Sequence, residues 1–117
     1  MYLCKTKQKR IMRIVFEKEY LEQLYEEGKA KNKKYRFQKA DINKYVQTID
    51  KLRVANKVED LFLLRSLHYE KLLGDKKGLE SVRVDNKYRI EYKSNIEGVD
   101  PNTITICSII ELSNHYK

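Results

Sequence analysis

Very little in this chain can cross-link it, bind a metal or break its regular structure. It has two cysteines (Cys4 and Cys107), one proline, four glycines, two histidines and no tryptophan. Two cysteines cannot make a disulfide framework, and no pair of His or Cys residues has metal-ligand spacing. The run Gly74-Asp75-Lys76-Lys77-Gly78 lacks the spacing of a phosphate-cradling loop, and no nucleophile elbow is present. No apolar stretch is long enough to span a membrane, and the basic start MYLCKTKQKR has no leader-like apolar run behind it. The expectation is a cytoplasmic protein with no cofactor, no metal and no membrane association.

What the chain has in abundance is positive charge. Lysine and arginine total 25 against 17 acidic residues, a formal charge of +8, accompanied by nine tyrosines. A basic, tyrosine-rich composition fits a protein that meets nucleic acid. At 117 residues the chain is one domain, able to bury somewhat over roughly 60% of its unfolded surface. Residues 1–11 read as a basic N-terminal extension and 12–117 as the domain, with Met12 available as an alternative start.

Hydrophobic periodicity orders the elements. Ile11–Phe16 is short and β-branched, a first strand. Helix one is expected over Glu17–Lys29, with Tyr20, Leu21, Leu24 and Tyr25 inward. Ala30–Arg36 is a basic loop. Helix two is expected over Lys39–Leu52, with Ile42, Tyr45, Val46, Ile49 and Leu52 at steps of three and four. A capping pattern from Asn56 to Glu59 suggests a third helix over Lys57–Arg65. Leu67–Leu72 reads as extended, Ser94–Asn102 as a loop holding the one proline, and Thr103–Leu112 as the last strand. In that strand Ile104, Ile106, Ile110 and Leu112 would share one face and Thr103, Thr105, Cys107 and Glu111 the other. Extending the alternation puts His115 on the polar face. Helices early and strands late predict an α+β fold: an N-terminal strand and two to three helices packed on one face of a C-terminal, mainly antiparallel sheet.

The most informative stretch is Leu72–Tyr92. Val82 and Val84 flank Arg83, and Tyr88 and Ile90 flank Arg89. A three-residue loop, Asp85-Asn86-Lys87, pairs Val82 with Ile90 and Arg83 with Arg89, gathering apolar side chains on one face and arginines on the other. A two-residue loop would mix the faces, so the longer one is preferred, with Asn86 or Lys87 left-handed. Directly opposed arginines repel by roughly 0.2–1 kcal/mol. Either acidic neighbours such as Asp85 and Glu91 neutralise them, or the pair is kept for an anion.

Positive charge converges here: Lys71, Lys76, Lys77, Arg83 and Arg89, with His115 as a candidate acid/base. Such a set suits cleavage of RNA without a metal, since the 2′-hydroxyl can attack its own phosphate while arginines stabilise the developing charge. A histidine or lysine would move the protons. His68 reads as an ordinary surface or half-buried histidine, and Cys107 as packing.

Leu73-Gly74-Asp75-Lys76-Lys77-Gly78, Ser81-Val82-Arg83-Val84, Tyr88-Arg89-Ile90, Glu111 and a histidine near the C-terminus together resemble the HigB branch of the RelE/ParE toxin superfamily. The resemblance covers about the last fifty residues. It implies a RelE-like fold and a toxin of a type II toxin–antitoxin pair that cuts mRNA on the ribosome without a metal. Its partner would be a HigA-like helix-turn-helix antitoxin. On the family's pattern Arg89 is the transition-state arginine, Arg83 the other strand arginine, Lys76 and Lys77 the basic turn, and His115 the terminal histidine. The chain departs from the pattern at Leu73, where lysine is frequent, and at Asn114, where tyrosine is frequent. Lys71 and Tyr116 are the nearest substitutes. The alternatives are a ParE-like toxin acting on DNA gyrase and a non-catalytic RNA-binding module.

Overall fold

A computed structural model describes residues 11–55, 64–99 and 102–114. The elements are β1 (Ile11–Phe16), α1 (Glu19–Glu27), α2 (Lys39–Val54), β2 (Glu70–Lys71), β3 (Glu80–Arg83), β4 (Tyr88–Val99) and β5 (Asn102–Asn114). They form an α+β fold around one five-stranded sheet of order β1-β5-β4-β3-β2. Only the β1–β5 pair is parallel. The expected third helix falls mostly outside the described residues. Its last residue, Arg65, starts a single 3-10 turn that ends at Leu67.

The helices form where the apolar spacing predicts. Leu21 and Leu24 of α1 and Tyr45, Ile49 and Leu52 of α2 are fully buried. Helix α1 ends at Glu27 because Gly28 takes the left-handed conformation, φ 80°, that a C-cap favours. Tyr45 donates from its hydroxyl to the Leu21 carbonyl at 2.8 Å, tying the two helices together inside the core. On the outer side Tyr25 donates to Asp50 at 2.5 Å, and Arg53 lies 5.1 Å from the Tyr25 ring centre.

The β3–β4 register is the predicted one, Val82 opposite Ile90 and Arg83 opposite Arg89. The loop has three residues, closed by Val84 N–H donating to the Tyr88 carbonyl at 2.9 Å. It contains no left-handed residue, contrary to expectation; among the described non-glycine residues only His68 has positive φ. The turn is made instead by the Asp85 carboxylate, which accepts from the backbone N–H of Lys87 (2.8 Å) and Tyr88 (2.9 Å). An Asx side chain that replaces a backbone acceptor removes the need for positive φ.

Two strand expectations are corrected. Ser94–Val99, expected in a loop, is strand: β4 runs on to Val99 and pairs with β5 from Asn102. The faces of β5 are also exchanged over most of its length. Glu91 pairs with Glu111, but the next residue, Tyr92, pairs with Ile109, so Ile110 is passed over in a β-bulge. One extra residue inverts the alternation beyond it. Thr105, Cys107 and Ile109 therefore join Leu112 in the core, while Ile104, Ile106 and Ile110 are only half-buried.

Candidate functional site

Register assigns the polar side chains to faces. Val82, Ile90 and Tyr92 lie in the core, so their neighbours Ser81, Arg83, Arg89 and Glu91 share the face turned away from the helices. Glu70, paired with Ser81, belongs to that face. Lys71 pairs with Glu80 and so falls in the row of Glu80 and Tyr92. It does not join the arginines, because neighbouring positions on a strand point to opposite sides.

The two arginines are directly opposed, yet in different states. The two share a face, as the register predicts, but Arg89 is covered there, only 8% exposed. Its Nε donates to Ser81 Oγ at 3.0 Å and its Nη2 to the His68 carbonyl at 2.6 Å, with Glu70 Oε1 at 3.6 Å. Arg83 is half-buried. Its Nε donates to the Asp85 carbonyl at 3.2 Å, its Nη2 to Asn86 Oδ1, and its Nη1 faces His68 Nε2 at 3.5 Å. The acceptors are a main-chain carbonyl, a side-chain amide and an imidazole, and among the described residues no carboxylate forms an ion pair with Arg83.

Carboxylates are more prominent on the sheet than the sequence reading allowed. Glu91 lies opposite Glu111, and each takes a lysine: Lys76 Nζ is 2.7 Å from Glu91, and Lys18 Nζ is 3.0 Å from Glu111. Lys76 thus reaches the arginine face, held there by a turn bracketed by Gly74 and Gly78, both with positive φ. Lys77 is exposed next to it. His115 and Tyr116 lie outside the described residues.

His68, read from the sequence as an ordinary surface or half-buried histidine, is exposed. Its backbone is left-handed, φ 45° and ψ 55°, at the end of the 3-10 turn Arg65–Leu67. That conformation costs an L-residue roughly 1–2 kcal/mol. It is pinned by its own N–H to the Arg65 carbonyl (3.0 Å) and by its carbonyl to Arg89. The result puts the imidazole beside Arg83 in the wall of a cleft of about 440 Å³, with Lys44, Ser66, Asp85 and Lys87 around it. The one prior signal was the residue type, since histidine tolerates the left-handed region better than most.

Two carboxyls flank this cleft. Asp41, in the first turn of α2, has a pKa raised first by its hydrogen bond with Asp85 and then by burial. Asp85 is pushed up by burial, but hydrogen bonds from Asp41, Lys87 and Tyr88 outweigh this and hold it below the usual carboxylate range. Of the two carboxyls, Asp41 is therefore the one that keeps its proton to the higher pH. Among the described residues no three His, Cys, Asp or Glu side chains gather as a metal-binding group, and no helix is long and apolar enough to cross a membrane.

Comparison with known proteins agrees with this architecture. A solved YoeB/ParE toxin from Agrobacterium tumefaciens superposes with a TM-score of 0.53 at 17% identity, covering 90% of this chain and 100% of that one. A mutant of YafQ from E. coli superposes with a TM-score of 0.37 at 12% identity, over 89% of this chain and 93% of that one. No curated protein matches the chain. The sequence profile of a family described as the RelE-like toxin of the type II toxin–antitoxin system HigB matches residues 14–105, which is most of the fold just described. The chain belongs to the HigB-like toxin family of type II toxin–antitoxin systems.

Proposed function

We propose that this toxin is an endoribonuclease that cuts mRNA on the ribosome, so inhibiting translation, and is held inactive by a HigA-like helix-turn-helix antitoxin. The observation that carries this reading is His68 Nε2 facing the Arg83 guanidinium across 3.5 Å, in the wall of a cleft that Lys44 and Lys87 also line. In the tautomer that carries its proton on Nδ1, Nε2 presents a lone pair, which is the form a base needs. In the proposed reaction His68 takes the proton of a ribose 2′-hydroxyl. The 2′-oxygen attacks the adjacent phosphorus, a 2′-O–P bond forms and the P–O5′ bond breaks. The products are a 2′,3′-cyclic phosphate and a 5′-hydroxyl. The leaving 5′-oxygen takes its proton from a second group, for which His115 and Tyr116 are the sequence candidates.

Arg83 stabilises the charge that grows on the non-bridging oxygens, where a planar two-point donor outperforms lysine. Arg89 contributes by fixing His68, and Lys76 and Lys77 hold phosphates along the strand. No step in this scheme uses a metal, so cleavage should persist with EDTA once ribosomes are supplied in a form that tolerates it.

The test is induced expression with mapping of mRNA 5′ ends, comparing wild type with His68→Ala and Arg83→Ala. Wild type should arrest growth and give codon-positioned cuts, and both variants should relieve the arrest by losing roughly 10²–10⁴-fold in cleavage. Variants as toxic as wild type, or arrest with intact mRNA and damaged DNA, would sink the reading.

A further inference from the structure

We propose that Asp41 is a positioning residue for Arg83: from helix α2 it clamps the β3–β4 turn so that the Arg83 guanidinium is aimed into the cleft. This deepens the nuclease reading and rests on it for the role of Arg83.

The geometry forms a continuous relay. Asp41 is 6% exposed and lies in the first turn of α2. Its Oδ2 is sealed from solvent without an aligned hydrogen bond, and Lys87 Nζ is 3.2 Å away as its ion-pair partner. Its carboxyl also meets that of Asp85. Asp85 and Lys87 are two of the three residues of the turn. Asp85 shapes the turn with its own carboxylate, and its main-chain carbonyl takes the Arg83 Nε–H. The remaining turn residue, Asn86, takes Nη2. Thus both neutral acceptors that orient Arg83 belong to a turn that Asp41 holds at two points. Around the turn, Phe37 packs edge-on against Tyr88 at 5.3 Å between ring centres, at the start of β4.

An acid would not be kept in so covered a position for packing, since an apolar residue would fill it without the cost of desolvation. Asp41 meets the Asp85 carboxyl and the Lys87 ammonium together. A primary amide meets the same two groups, donating through its nitrogen and accepting through its oxygen.

That equivalence gives the experiment, run on the full-length toxin with ribosome-dependent RNA cleavage as the readout. Asp41→Ala should lower the single-turnover cleavage rate by roughly tenfold to a hundredfold, the scale of a misplaced contact in a reaction centre. Asp41→Asn should restore it to within about threefold of wild type, an amide being able to make both contacts. In an Arg83→Ala background Asp41→Ala should have no further effect, because residues that act through one another do not add. Full additivity in that background overturns the proposal, as does wild-type cleavage by Asp41→Ala. If Asp41→Ala does not fold, Asp41→Ser, too short to reach Asp85, takes its place under the same criteria. If Arg83→Ala cleaves like wild type, the nuclease role of Arg83 falls. The clamp is then judged by the Arg83 Nε–H NMR resonance, which must move in the alanine or serine variant and return in the asparagine variant; an unmoved resonance overturns it.

Discussion

Replacing Arg89 with alanine should cost stability as well as activity, and the structure says how much. The side chain is almost fully covered and spends two charged N–H groups on fixed acceptors, Ser81 Oγ at 3.0 Å and the His68 carbonyl at 2.6 Å. A hydrogen bond from a charged donor is worth about 1.5–3 kcal/mol, so two give a gross value of roughly 3–6 kcal/mol. The contact to Glu70 at 3.6 Å adds little, since the Glu70 side chain is half in water. Truncation also admits water to the orphaned acceptors, which returns part of the loss. The net expectation is about 2–4 kcal/mol. Arg89→Lys reaches one acceptor and should lose about half as much, because an ammonium on a flexible stem cannot reproduce the fork. The assay is chemical denaturation of the purified toxin, reading the midpoint at constant slope. A further consequence is local: without Arg89 the His68 carbonyl loses its hydrogen bond, so the left-handed backbone there should relax. A loss under about 1 kcal/mol for Arg89→Ala would refute the reasoning, since the buried donors would then not be holding the His68 segment.

Cys107 is fully buried, and burial pushes its thiol up to about 12, so the native protein should resist alkylation at Cys107 at pH 8 and react fully in denaturant. Peptide mass mapping checks this, and rapid native labelling of that cysteine would contradict the packing. Asp41 titrates above the ordinary carboxylate value of 3.8, so the folded state holds its proton more tightly than the unfolded chain does. Its contribution to stability is therefore present below that value and lost as pH rises through its raised native pKa. Asp85 is lowered and behaves oppositely, its contribution being lost as pH falls through its native pKa. Asp41→Asn should therefore flatten the decline on the high-pH side of 3.8 and leave the acid-side decline in place, as denaturation midpoints across pH will show.

How much of this was legible beforehand depends on the range of the interaction. The β3–β4 register could be read because alternation and loop length constrain each other within a dozen residues. The β5 faces could not, because Ile109 and Ile110 are adjacent and equally apolar, and nothing local says which is passed over. Ser94–Asn102 looked like a loop because Asn95, Glu97, Gly98 and Pro101 are poor strand formers. The ladder between β4 and β5 overrides those preferences through Val99. The Asp41 contact joins a helix to a turn remote in sequence, so no periodicity announces it. His68 was visible only as a lone histidine; its strained backbone is a product of the fold.

The sheet face explains why two arginines that alternate identically in sequence differ in role. Arg83 and Arg89 form one like-charged rung, and two residues on, Glu91 and Glu111 form another. Each rung is unfavourable alone by a few tenths of a kcal/mol up to about 1. The acidic rung is relieved by lysines from outside it, Lys76 and Lys18. Arg89 is relieved by burial against Ser81, His68 and the edge of Glu70. Among the described residues Arg83 meets the neutral acceptors of its own turn and the imidazole of His68. Arg83 also lines the cleft. This separates the two substitutions experimentally. Arg83→Ala removes a half-exposed charge with local partners, so it should lower cleavage at a stability cost near that of an ordinary surface change, about 0.5 kcal/mol. Arg89→Ala should lower both. If the two variants instead lose equal stability, the division of labour between anchoring and anion binding is wrong, and the rung acts as one unit.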